Sequence, residues 1–333
     1  YEPIPSGDWP LTPPPGVHLG APPTPELWRQ WTDVEFVIAR AESAMRRTFY
    51  GGEAFPLFWG NLGPDAFSAF LGSRMTLAPT PTWTEPIIEN WRDADSLHLD
   101  RENFWYKLQV EFMRQSMARG HGKWFTGFPD THTGGDGLAS LRGRQQLCLD
   151  LYDYPEEVAA AMRRLTALGR KVYDVYMDIL QPERYGSTSG WLPTWGPGRC
   201  NVLQCDFIAL ISPASWERFF VDWFLEELSW FDRAIFHLDG PPSLPHLDYL
   251  LELSELKAIQ WVAGDGALPM SQWIPLLKRI QAAGKAIHVS VEPWEVETML
   301  HELSSRGLLM QTRVDSEEEA RGLIAKVAQW THD

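Results

Sequence analysis

The second half of the chain alternates short apolar runs with helix-length amphipathic runs, and nothing else in it restricts the fold as strongly. Ala234-Ile235-Phe236 leads into His237-Leu238-Asp239 and turns at Gly240-Pro241. Strands follow over 256–262, 285–291 and 308–312, with helices over 246–251, 271–283 and 294–305 between them. Gly284 and Gly307 close two of these helices, and Ser316-Glu317-Glu318-Glu319 starts an acidic last one. Each unit takes about thirty residues, the length of a strand with its crossover helix. Such alternation implies a parallel sheet.

The first half is less regular. Short strands read at 55–61 and 124–128, and 74–83 is an apolar segment cut by Pro79 and Pro81. Helices read over 26–48, 101–119, 141–151 and 155–180; the first is capped by Thr24 with Pro25 at its first position, and it carries no internal breaker. Together the halves give about eight strands, which favours a closed (β/α)8 TIM barrel over an open sheet. Residues 1–25 hold nine prolines, from Pro3 to Pro25, and read as an extended arm free to wrap the domain or a partner subunit, so a homodimer is allowed. Residues 26–333 then form a single barrel domain.

Composition narrows the function classes. An apolar fraction of 44% in 333 residues supplies a sizeable core, and a net charge of −15 argues against nucleic acid as a partner. No apolar run reaches the roughly 18 residues of a spanning helix, and no basic-then-apolar leader opens the sequence. Cys148, Cys200 and Cys205 form neither a CxxC pair nor an even framework, which suits a reducing, cytoplasmic setting. Seventeen tryptophans exceed core needs enough that some are expected to wall a ligand pocket.

Barrel active sites gather at the C-terminal ends of the strands. The polar knots of this chain fall at such ends: Asn61, Asp130 to His132, Trp191, His237 and Asp239, Asp265, Glu292, and Arg313. His237 and Asp239 are two apart in a strand and so share a face, where a His-x-Asp pair can hold a metal or orient a base. The plainer reading is a histidine bonded to a carboxylate for stability. The loop 129–137 adds Asp136 among glycines, with a self-capped surface turn as its plainer reading. It lacks the spacing and lysine of a phosphate loop. His288 shares a face with Ser290 and Glu292, as a mouth residue or a satisfied interior histidine. Asp130, His132, His237 and Asp239 are the expected catalytic groups. Trp59, Asn61, Asp136, Trp191, Trp195, Asp265, His288 and Arg313 are expected to contact a small-molecule substrate.

Gln204-Cys205-Asp206, Ile211-Ser212-Pro213, His237-Leu238-Asp239-Gly240 and the strand–helix units to Val314 resemble the uroporphyrinogen decarboxylase superfamily. That superfamily has a (β/α)8 barrel and includes tetrapyrrole decarboxylases and zinc-dependent corrinoid:thiol methyltransferases. The decarboxylase branch carries an arginine-rich signature after its first strand. Phe58-Trp59-Gly60-Asn61-Leu62-Gly63 stands in its place here, and no acid follows in 77–82 where a catalytic aspartate is expected. A polyanionic porphyrinogen would be poorly gripped without those arginines. The methyltransferase branch binds zinc through His-x-Cys and a cysteine of the last strand. This chain has His237-x-Asp239, and Gln311-Thr312-Arg313 at the last position.

The resemblance implies a methyltransferase-like enzyme in which His237, Asp239 and Glu292 hold zinc or another divalent metal, with a corrinoid on a partner protein as a possible donor. The alternatives are a decarboxylase or lyase acting on a small acid or polyol, with Asp130, His132, Asp239 and His288 as acid/base groups, and a non-catalytic barrel that binds a small ligand. In the barrel, Asp130, His132, His237, Asp239 and Glu292 should line one pocket with tryptophans among its walls.

Overall fold

The computed structural model describes residues 12–332. Residues 1–11 of the expected arm lie outside the described residues. Residues 12–24 carry no helix, and Leu19 makes a parallel bridge to Met75. Nine strands are described: β1 (Leu57–Phe58), β2 (Met75–Thr76), β3 (Trp83–Thr84), β4 (Phe125–Thr126), β5 (Cys200–Gln204), β6 (Arg233–Asp239), β7 (Leu256–Val262), β8 (Ala286–Ser290) and β9 (Leu308–Gln311).

The fold is α/β with a parallel sheet. β5 to β9 lie side by side in chain order, every pair parallel. Burial explains the pairing. β5 is buried along nearly its whole length, and in β6 Ala234, Phe236 and Leu238 are buried in alternation with Ile235, His237 and Asp239. A sheet covered on both faces is the setting in which parallel strands persist. Helices between the strands supply that cover, with Leu247, Leu250, Leu277, Ile280, Met299 and Leu300 turned into the core.

In the first half β1 pairs with β4 in parallel, and Phe128 beyond β4 makes a parallel bridge to Ser189. That bridge brings two backbones so close that a Cβ on Gly127 would lie 2.4 Å from the Gly190 Cα. β2 and β3 form an antiparallel pair of their own, so the proline-cut segment 74–83 is not a strand of the parallel sheet. The helix read over 26–48 is two helices, Pro25–Thr32 and Val34–Met45. Asp33 between them is extended, and its carboxylate accepts from the Phe36 N–H at 3.0 Å, capping the second helix as it ends the first.

The helix Pro155–Leu180 is as read. Pro155 opens it, Glu156 and Glu157 occupy its first turn, and Val158, Met162, Leu165, Val172, Tyr176 and Leu180 bury one face. It packs on the helix Gly134–Arg142, which replaces the expected turn-rich loop after residue 133. That helix starts at Gly134 with φ +58°, and a Cβ there would lie 1.9 Å from the Trp223 ring. Gly134→Ala should therefore cost roughly 3 kcal/mol, combining overpacking with left-handed backbone strain. Gly52→Ala, at φ +59° with nothing within 4 Å, carries the backbone part alone and should cost about 1 kcal/mol. Urea denaturation of the two variants tests this; equal losses would show that Trp223 gives way.

Candidate functional site

Parallel register builds the floor of the site. Gln204 pairs with His237, His237 with Gln260, and Gln260 with His288, so four polar side chains stand at one level on β5 to β8. The Gln260 carbonyl oxygen lies 2.7 Å from His237 Nδ1. An amide oxygen accepts, so in this pairing Nδ1 is the donor and Nε2 is the ring nitrogen turned toward Asp206. Nε2 lies 3.9 Å from Asp206 Oδ1. The Trp191 ring meets the His237 ring edge-on at 5.1 Å. His288 is buried, and burial pushes its pKa down to about 4 against a hydrogen bond with Gln311, which keeps it neutral.

The wall comes from the segment after β4. Asp136, in the first turn of Gly134–Arg142, reaches the short 3-10 helix Asp206–Leu210 that follows β5. Its Oδ2 accepts from the Asp206 N–H and its Oδ1 from the Phe207 N–H, each at 2.8 Å. The free N–H groups of a helix start are satisfied this way. Asp206 Oδ1 is left buried without a hydrogen-bond partner. The His132 backbone N–H donates to the Pro64 carbonyl at 3.0 Å. Its Nδ1 is buried without a hydrogen bond, 4.0 Å from Asp65 Oδ1, and its Nε2 lies 3.7 Å from Asp130 Oδ1. Asp130 accepts from Gln204 Nε2 at 2.5 Å, which ties the wall to the floor.

Two groups of side chains offer converging ligand atoms, all within 4.8 Å of one another in each group: His132 with Asp136 and Asp206, and Asp206 with His237 and Asp239. Asp206 belongs to both. The expected His237–Asp239 pair is thus present with a different third member. Glu292 is exposed, flanks the short helix Pro293–Glu295 in a capping box with Glu295, and joins neither group. It comes two residues past the end of β8, while Asp206 follows β5, the immediate neighbour of β6.

The other expected contact residues divide. Asp130, His132, Asp136, Trp191 and His288 are at or beside the cluster, and Trp59 packs on Gly190 next to Trp191. Asp265 is exposed and reaches the cluster only through its charge on Asp239. Asn61 uses its side-chain oxygen on the Gly63 N–H at 2.7 Å. Trp195 is 45% exposed and packs on Phe125, at the start of β4 and away from Asp130 beyond its end. Arg313 is exposed past β9, with no ion pair among the described residues. Asp206, Gln204 and Gln260 are the participants that sequence reasoning missed. The usable signal was position: Asp206 follows the end of a buried strand as Asp239 does, but the five residues of β5 were not read as a strand.

The cluster holds more carboxylate than cation. Burial raises the Asp130 pKa, with Asp206 adding to it and His132 and Gln204 opposing it. Burial, then the Asp136 charge, raises that of Asp206; His132, His237 and Arg144 oppose. Asp239 is raised by partial burial. Burial acts most strongly on His132 and would lower its pKa, yet Asp130, Asp136, Asp206 and Asp65 together outweigh it and the net shift is upward.

Below the cluster, Asp130, Thr133, Tyr173, Trp191, Gln204 and Glu227 border a cavity of about 10 Å3, room for a single water. Glu227 is buried and its Oε2 accepts from Thr133 Oγ1 at 2.5 Å and Trp223 Nε1 at 2.8 Å.

No protein-family model and no curated protein matches the chain. Among solved structures, a methyltransferase from Methanosarcina mazei aligns over 80% of this chain and 77% of its own, with a TM-score of 0.55 and 10% sequence identity. At that identity the likeness is one of fold.

Glu227 makes the stability of this region depend on pH. Burial lifts its pKa from 4.5 to about 7, so in that window the folded chain keeps a proton that the unfolded chain has lost. Stability is then highest below the window and falls by roughly 3 kcal/mol as pH rises through it. Glu227→Gln keeps an acceptor for Thr133 and Trp223 and removes the titration. Its melting temperature should fall less than that of the native chain between pH 5 and pH 8, and parallel curves would contradict the buried carboxyl.

Proposed function

We propose that the chain is a methyltransferase-like enzyme of the uroporphyrinogen decarboxylase superfamily, built as a (β/α)8 barrel with its site at the C-terminal ends of the strands. The observation that carries the reading is the Asp206–His237–Asp239 group, which lies at the C-terminal ends of adjacent parallel strands. The fold likeness to a methyltransferase agrees with it. Support for a closed barrel comes from both ends of the strand series. The Phe128–Ser189 bridge extends the β1–β4 pair toward the segment before β5. The last helix, Glu317–Trp330, sets the Arg321 guanidinium 4.6 Å over the Phe49 ring, just before β1.

Asp206, His237 and Asp239 suit a divalent cation such as zinc. With Gln260 at its Nδ1, His237 turns Nε2 toward Asp206, Asp206 Oδ1 has no other partner, and one imidazole with two carboxylates leaves coordination positions open. Bound there, the ion would act as a Lewis acid and make a coordinated acceptor more nucleophilic at neutral pH. Gln260 holds the His237 ring in register. Asp130, across the site and tied to the floor by Gln204, receives or returns the acceptor proton. Trp191 and Trp59 give apolar walls that exclude water. The methyl donor in this reading is a corrinoid carried by a partner protein. The hard donor set, without thiolate, favours an oxygen or nitrogen ligand over a zinc–thiolate one.

A carboxy-lyase acting on a small acid is the second reading, favoured by Asp130 with its raised pKa beside His132, a pair able to protonate a carbanion. Incubating the purified chain with methylcobalamin and a panel of alcohols, amines and thiols, and separately with small carboxylic acids, distinguishes the two. Demethylation of the cobalamin is expected, lost at least 100-fold in His237→Ala and reduced about 10- to 100-fold in Gln260→Leu, the usual effect of removing the group that orients a metal ligand. Carbon dioxide release without demethylation would favour the lyase. Demethylation indifferent to His237→Ala would remove the proposed site.

A further inference from the structure

The metal part of the proposed function accounts for one of the two ligand groups. His132 and Asp136 converge on Asp206 from the other side, also within 4.8 Å. We propose that His132 and Asp136 hold a second divalent cation, and that Asp206 bridges it to the cation held by His237 and Asp239. The inference rests on the single-metal reading and extends it to a two-metal centre with a shared carboxylate.

Three independent features carry it. First, His132 is a poor structural residue. Only 5% of it is exposed, its Nδ1 is buried with no hydrogen-bond partner, and its Nε2 is 3.7 Å from the nearest carboxylate oxygen, beyond a hydrogen bond. A buried imidazole nitrogen without a hydrogen-bond partner costs free energy that a coordinated ion would recover. Secondly, the capping role of Asp136 does not exhaust it. Each of its oxygens accepts one backbone N–H, and each keeps a second lone pair. The cap instead fixes the carboxylate against Asp206, as hydrogen bonds to ligating carboxylates commonly do.

Thirdly, the site is crowded with negative charge. Asp130, Asp136, Asp206 and Asp239 contribute four carboxylates, and Arg144 is the lone Lys or Arg side chain among the leading influences on Asp206. A second dication would take up the negative charge that the first leaves. An aspartate offers an oxygen to each of two ions, and two-metal sites place them about 3.5–4 Å apart. Such a pair favours a ligand with an anionic oxygen able to span both ions, such as a carboxylate or an ionised hydroxyl. Imidazole with carboxylate suits manganese or zinc.

The test is metal stoichiometry on the full chain. After removal of metal by a chelator, Mn(II) is titrated in by calorimetry and followed by electron paramagnetic resonance. Two equivalents are expected, with the exchange-coupled signal of a bridged pair. His132→Gln and His237→Gln should each bind one equivalent and lose the coupling, while their near-ultraviolet circular dichroism stays native. If either variant unfolds, the native chain alone decides, since a second equivalent and a coupled signal are both required of it. One uncoupled equivalent, unchanged in His132→Gln, would overturn the second site and leave the single-metal reading standing. No bound metal would overturn both. Two equivalents without coupling would overturn the bridge.

Discussion

The carboxylate of Asp136 holds the site together. It takes two backbone N–H groups some seventy residues further along the chain, at Asp206 and Phe207, and so joins the segment after β4 to the segment after β5. Without it the first turn of the 3-10 helix would bury unsatisfied donors, a loss comparable to an unmade hydrogen bond for each. With it, Asp206 is held where its own side chain faces His237. The anchor is itself supported from behind, since Gly134 lets its helix begin flush against the Trp223 ring, and Trp223 with Thr133 grips Glu227. Packing and polar satisfaction act here on the same few residues.

The cost of the cluster is electrostatic. Several carboxylates share a partly dry space with two imidazoles, and burial, with repulsion between neighbours, raises the pKa of Asp130, Asp206 and Asp239. Groups perturbed by desolvation and by specific charged partners mark functional sites more often than structural ones. The capping role accounts for Asp136, while His132 Nδ1 and Asp206 Oδ1 are buried without a hydrogen-bond partner.

Much of this was legible in the sequence. The alternation of strand and helix after residue 233 read correctly because each strand there is mostly apolar and has a glycine or proline close to one of its ends. His237 and Asp239 stood out because a period of two puts them on one face, and the structure groups them with Asp206. Asp130, His132 and Asp136 stood out because the run after Phe128 is dense in polar residues. The failures have physical causes too. Asp33 caps a helix from inside what looks like a single amphipathic run. The 74–83 segment folds on itself because its prolines forbid a long ladder. Glu292 lies at a strand end by count, but the register of β5, β6 and β7 brings Gln204 and Gln260 beside His237 instead. Distances across a sheet depend on which strands touch, and no linear pattern states that.

The level row Gln204–His237–Gln260–His288 has a consequence for how such a site can diverge. Each position projects from its own strand, and its backbone bonds belong to the ladder, so exchanging one side chain leaves the scaffold's hydrogen bonding untouched. An amide exchanged for a carboxylate or a thiol would add a metal-ligating atom, and a histidine exchanged for an amide would remove one. The shelf thus behaves as a set of positions at which the hardness of the donor set, and with it the chemistry, can change by single substitutions while the ladder is kept, the cost falling on side-chain bonds such as those of Gln204 to Asp130 and Gln260 to His237.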